Sequence, residues 1–130
     1  MQLNFIANAD VPSASGRTLP VIDPSDGQPY DEIQRSNAAD IDSAVRAARD
    51  CFEGVWHKVS AADRGRLLFK LSQKIAEHVD ELAAIEQRDC GKPVTQARAD
   101  ALALVRYFEF YAGACDKLHG ETIPYQDGYS

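Results

Sequence analysis

No glycine-rich phosphate loop, no nucleophile elbow and no metal-binding histidine pair occurs in this sequence. Its eight glycines form neither G-x-G-x-x-G nor G-x-x-x-x-G-K-[ST], the two arrangements that let backbone amides cradle a phosphate. G-x-S-x-G and H-E-x-x-H are absent as well, which removes the commonest hydrolase and zinc-protease signatures. The three cysteines, Cys51, Cys90 and Cys115, are widely separated and odd in number. With no C-x-x-C and no cysteine–histidine pair at ligand spacing, they are expected to be free thiols in a reducing cytoplasm. Residues 1–10 carry no basic stretch leading into an apolar run, so no secretory signal is expected. Long apolar runs are missing too. The least charged stretch, residues 99–114, is broken by Asp100, Arg106 and Glu109, and no membrane span is expected. Positive charge is outnumbered, with 14 Lys and Arg against 20 Asp and Glu and a net charge of −6. That balance argues against nucleic acid or an anionic membrane as a partner.

What remains is a chain of 130 residues, 45% hydrophobic and 26% charged, enough for one soluble domain with a core. Its first third is strand-like and punctuated by turns. Phe5, Ile6 and Ala7 make a short strand followed by an expected turn at Asn8, Ala9 and Asp10. Residues 19–22 and 30–34 are two further strands, separated by Asp23-Pro24-Ser25-Asp26-Gly27. Pro24 pre-sets φ and Gly27 accepts a positive φ, so the pair reads as a hairpin. Pro20 and Pro29 each remove a ladder donor, which calls for an exposed edge or a strand that starts past the proline.

Helix begins after Asn37, an N-cap with Asp40 in the first turn. Ile41, Ala44, Val45, Ala48 and Phe52 then fall on one helical face, and Gly54 stops the helix. Ser60 with Asp63 opens a second helix whose stripe is Leu67, Leu68, Leu71, Ile75 and Val79. Asp80 is the expected cap of a third, carrying Leu82 and Ile85 and ended by Gly91 and Pro93. The fourth, residues 95–118, has two apolar faces. Ala101, Leu104, Val105, Phe108, Tyr111 and Ala112 form one; Ala99, Ala103, Tyr107, Phe110 and Ala114 form the other. A helix apolar on nearly all sides is expected to be buried on nearly all sides. A hairpin and three amphipathic helices cover only one of these faces, so further protein is expected to pack here.

Three groups invite a chemical reading. Cys90 lies between Asp89 and Gly91 with Lys92 close by. Lys92 would lower its thiol pKa, whereas Asp89 and the helix C-terminus would raise it, so an incidental cysteine at a helix end fits better than a nucleophile. Arg66, Lys70, Lys74 and His78 recur every four residues. They make either a phosphate or partner site or a solvated face, and the acidic overall charge favours the latter. Tyr107, Phe108, Phe110 and Tyr111 are expected as core rather than as a stacking platform. Nothing supplies a nucleophile, a base and an oxyanion donor together.

The order of these pieces resembles the N-terminal part of an aldehyde dehydrogenase, of the broad betaine-aldehyde type, over almost the entire chain. Phe5-Ile6-Ala7-Asn8 and Ser13-Ala14-Ser15-Gly16 look like the family's opening strand and turn. Val21-Ile22-Asp23-Pro24 with Gly27 is similar to its V-[IV]-[ND]-P-x-x-G hairpin, and Asp40-Ile41-Asp42-Ser43-Ala44-Val45 to the start of its first helix. Asp89 to Pro93 resembles the D-[TSN]-G-K-P turn, with Cys90 where the family more often has a hydroxyl or amide. Tyr111-Ala112-Gly113 and His119-Gly120-Glu121-Thr122-Ile123-Pro124 match the exit of its fourth helix.

The resemblance implies an α/β fold with a Rossmann-type coenzyme domain for the full protein. This segment would be its N-terminal part: a β-hairpin region at 1–36, four helices at 37–120 and an extended exit at 121–130. It implies a cytoplasmic oxidoreductase that converts an aldehyde to a carboxylic acid with NAD or NADP, working as a homodimer or homotetramer. The family's nucleophile, general base and coenzyme grip all follow this region, so no catalytic or cofactor-binding residue is carried over, and the segment's own role would be structural. Two lesser roles are. Ile22 and Asp89 match positions whose backbone carbonyls bind a structural Na+ or K+, and Ala99 and Ala103 match the mouth of the substrate tunnel. The alternative is a non-catalytic helical interaction module descended from such an enzyme.

Overall fold

Ala7 and Asn8 both adopt positive φ, 53° and 64°, the backbone that a two-residue hairpin turn requires. In the computed structural model, which describes residues 1–122, they join β1 (Asn4–Ile6) to β2 (Ala9–Val11) in an antiparallel pair. The turn therefore falls one residue earlier than expected, and Ala9 and Asp10 are strand. Alanine is an unusual residue at φ > 0, which is why the sequence does not announce this hairpin. The second hairpin forms where it was expected, from β3 (Thr18–Ile22) and β4 (Pro29–Gln34). Pro20 lies inside β3, and Pro29 is the first residue of β4. Among the described residues the outer side of β3 is free, and that of β4 is bridged by Gln2 only at Glu32 and Ile33, away from Pro29. A missing donor on those sides costs nothing. Gly27 at φ 71° closes the turn, and the Asp23 carboxylate accepts from the Ser25 amide and hydroxyl.

The helices follow their caps. Asn37 and Asp40 form a reciprocal capping box at the start of α1 (Ala38–Glu53), and Gly54 ends it. A 3-10 turn at Trp56–Lys58 leads to Ser60, whose hydroxyl accepts from the Asp63 amide and opens α2 (Ala61–Glu77). Asp80 is not the cap of α3 (Val79–Cys90). His78 both ends α2 and precedes α3, so Asp80 sits inside the first turn, where a carboxylate favours the helix N-terminus by charge alone. Gly91 closes α3 in the left-handed conformation. The last helix, α4 (Val94–Ala114), stops four residues short of the expected 118. Of the expected exit segment at 121–130, residues 123–130, including Ile123 and Pro124, lie outside the described residues.

The core sits where α4 crosses α2 and α3. Ile75, Val79, Ala83, Ala97 and Ala101 are buried there with Ser72. Small residues allow a close crossing: a Cβ on Gly65 would stand 2.5 Å from the Ala112 carbonyl oxygen. Lys92 reaches Glu86 on α3 at 2.6 Å and Asp100 on α4 at 2.8 Å, and its ammonium is held well above the usual lysine range by those two hydrogen bonds. The expected stripe of α1 is not covered. Ile41, Val45 and Phe52 are exposed, and α1 touches chiefly the 3-10 turn and β1. The expected aromatic core of α4 is likewise open, with Phe108 half-buried but Tyr107 63% and Phe110 70% exposed. Periodicity marks these faces as apolar, while α2 and α3 reach only one side of α4.

Candidate functional site

Asp89 lies in the last turn of α3, where helix carbonyls run out of intrahelical donors. Its α-helical partner would be the amide of residue 93, and Pro93 has none. Ile22 ends β3. The Asp23 amide donates to the Gln28 carbonyl across the hairpin at 2.9 Å. The trans peptide therefore turns the Ile22 carbonyl away from β4. Two carbonyls without obvious strand or helix donors are what a hard, weakly charged cation takes as ligands.

The structure brings the hairpin turn and the α3 terminus together. Tyr30 donates from its hydroxyl to the Asp89 carboxylate at 3.1 Å. The Arg88 guanidinium stacks 4.1 Å from the Tyr30 ring centroid and lies 3.6 Å from the Asp23 carboxylate. Pro24 packs so close to Gly91 that a Cβ there would come within 2.9 Å of it. The Ser25 hydroxyl and amide, and then Arg88, hold Asp23 below the usual carboxylate range. Desolvation, and then the Asp89 hydrogen bond, raises the Tyr30 phenol. No group of three His, Cys, Asp or Glu side chains able to hold a metal occurs among the described residues; the oxygens at this corner include the Asp23 and Asp89 carboxylates and the backbone carbonyls.

Ala99 and Ala103 sit elsewhere, on the outer face of α4. Both are exposed, whereas Ala97 and Ala101 on the opposite face are buried. Tyr107 and Phe110 continue the outer face one and two turns further on. The small side chains leave open space at one end of this face and the aromatics fill the other.

The remaining candidates resolve blandly. Cys90 is exposed at the last position of α3, and Cys51, Cys90 and Cys115 are free thiols. On the basic stripe Arg66 pairs with Asp63, Lys74 with Glu77 and His78 with Glu81, each three residues away, as on a solvated face. One residue does more than its sequence position announces. Asp40 is only 8% exposed and accepts from Ser13 Oγ at 2.8 Å, the Ala14 amide at 2.9 Å and the Asn37 amide at 2.8 Å. The amide hydrogen bonds are the main reason its carboxyl lies below the ordinary value. The capping box predicts the Asn37 contact; nothing local predicts Ser13.

Comparison with known proteins extends these observations. The model of the aldehyde dehydrogenase family matches residues 11–130. An aldehyde dehydrogenase [NAD(P)+] of Saccharomyces cerevisiae is 43% identical over 122 residues, 92% of this chain and 24% of that protein. The crystal structure of a Burkholderia cenocepacia protein assigned as an aldehyde dehydrogenase superimposes with a TM-score of 0.92 at 60% identity, covering 97% of this chain and 27% of that one. Betaine aldehyde dehydrogenase of Staphylococcus aureus, in complex with NAD+, superimposes at 0.88 with 32% identity, over 94% of this chain and 25% of that one. The chain thus spans about a quarter of the length of the relatives it matches.

Proposed function

This chain belongs to the aldehyde dehydrogenase family, and from that premise we propose that it is the N-terminal part of the coenzyme-binding domain of an enzyme oxidising an aldehyde to a carboxylic acid. The hairpin region at 1–36, the helices at 37–120 and the exit at 121–130 would flank the dinucleotide-binding sheet. The observation that carries this reading is the superposition of 94% of this chain on a quarter of an enzyme in complex with NAD+.

In such an enzyme a cysteine thiolate outside this segment adds to the aldehyde carbonyl, and loss of hydride from that adduct leaves a thioester. Water hydrolyses the thioester to the acid and frees the thiol. NAD or NADP supplies the hydride acceptor. The residues described here serve that chemistry as scaffold. Ala99 and Ala103 would line the tunnel mouth, which their exposure on an uncovered face supports. The carbonyls of Ile22 and Asp89 would hold a structural Na+ or K+, which their lack of strand and helix donors supports. The exposed apolar faces of α1 and α4 suit burial against later parts of a homodimer or homotetramer, and three free thiols suit the cytoplasm.

The same faces would also serve a non-catalytic interaction module, and one assay separates the two. The intact protein, mixed with NAD or NADP and a panel of aldehydes, is expected to reduce the coenzyme, while the isolated segment of residues 1–130 stays at the no-protein blank. Failure of the intact protein with every aldehyde and both coenzymes favours the module.

A further inference from the structure

We propose that Tyr30, Arg88 and Asp23 form the positioning cluster of the monovalent-cation site, clamping the β3–β4 turn to the end of α3 so that the Ile22 and Asp89 carbonyls keep a fixed separation. The inference rests on the cation reading above and adds to it the residues that set affinity and selectivity.

The two carbonyls belong to elements that meet closely only where Pro24 packs on Gly91. Neither β3 nor β4 packs closely along α3; between them lies a cleft of about 700 Å³ lined by Val21, Tyr30, Ile33, Ala84 and Ile85. Polar ties cross that gap at the cation end, and each lands beside a proposed ligand. Asp23 follows Ile22 and meets Arg88, which precedes Asp89. Tyr30 follows Pro29, the strand partner of Ile22, and bonds the side chain of Asp89 itself. The Arg88 plane lies on the Tyr30 ring, so one side chain braces both ties. As a stability device a single pair at 3.6 Å, with the Arg88 side chain largely exposed, adds little. As a spacer it matters more, because carbonyl sites bind and discriminate ions by the number, field and separation of their oxygens. Groups that hold ligands in place, without touching the ion, govern affinity in the same way at other metal sites.

The test uses the intact protein. Sodium or potassium chloride replaces choline chloride at constant ionic strength, and cation binding is read from the rise in Tm and from sodium NMR line broadening. Tyr30→Phe removes only a hydroxyl, and Arg88→Gln removes the charge and the stacking plane. Each is expected to weaken apparent cation affinity by about 10-fold and to change the sodium-to-potassium preference, with Tm in choline close to wild type. Lys74→Met, which breaks a remote exposed pair, is expected to bind as wild type does. If wild type binds and both variants match it in affinity and preference, the cluster is not a positioning device although the cation reading survives. Variants that only lose Tm in choline, with cation response unchanged, overturn it as well. A wild type indifferent to the choice of cation removes the cation reading and this inference with it.

Discussion

Gly91 meets two constraints at once, a φ of 68° and a Cβ position 2.9 Å from the Pro24 side chain. Either alone disfavours a side chain, and relief of one does not relieve the other. Gly91→Ala is therefore expected to destabilise the protein by about 1–3 kcal/mol, measurable in a denaturant melt. Asp40 makes a different kind of demand, because its three donors require an acceptor on both oxygens. Its depressed pKa means that the stability it adds is fully present above the unfolded value of about 3.9. That contribution is lost as pH falls through the lower folded value. The Tm gap between wild type and Asp40→Asn is expected to be wide at neutral pH and to narrow in acid below about pH 4, in thermal melts of the intact protein across that range. The sequence reveals half of this residue. Its capping role is local and follows from the spacing to Asn37, whereas the Ser13 and Ala14 contacts join points that only the folded chain brings together.

Helix packing shows how backbone proximity can override propensity. Alanine is a better helix former than glycine by about 1 kcal/mol, so α2 alone would gain from Gly65→Ala. The crossing with α4 reverses the sign, since the added carbon would meet the Ala112 carbonyl oxygen at 2.5 Å, and overpacking costs about 1–3 kcal/mol. A net loss of Tm is expected by circular dichroism; a gain would mean that α2 and α4 separate easily. On the outer face of α4, Ala103→Phe is expected to raise KM for bulky aldehydes more than for small ones, a difference of about 1–3 kcal/mol in kcat/KM. Equal effects on short and long aldehydes, together with a large fall in Tm, would place Ala103 in closed core instead. Element identity was legible where punctuation is strong, as at Asn37, Ser60 and Gly91. It failed where punctuation is weak. Ala7-Asn8 is no standard hairpin signal, and Cys115-Asp116-Lys117-Leu118 carries no glycine or proline to mark where α4 stops.

At the scale of the molecule, periodicity distinguished apolar faces from polar ones but could not say which of them these 130 residues cover for themselves. The two-faced pattern of α4 did indicate that partners were missing, and the exposure of Tyr107 and Phe110 agrees with it. The stripe of α1 gave no such warning, because a single amphipathic face reads the same whether its cover comes from near or far in sequence. Its open state has a consequence in time. A ribosome adds about 5–20 residues per second, so in a protein of the relatives' length the remaining three quarters follow over roughly twenty to eighty seconds. Throughout that interval Ile41, Val45 and Phe52 form a sticky stripe on a nascent chain with nothing yet made to cover it. Site-specific crosslinking from residue 45 on stalled ribosomes is expected to capture a hydrophobic-binding chaperone at chain lengths near 200 and to lose it in the released, full-length protein, whereas crosslinking from buried Ala97 captures none at either stage.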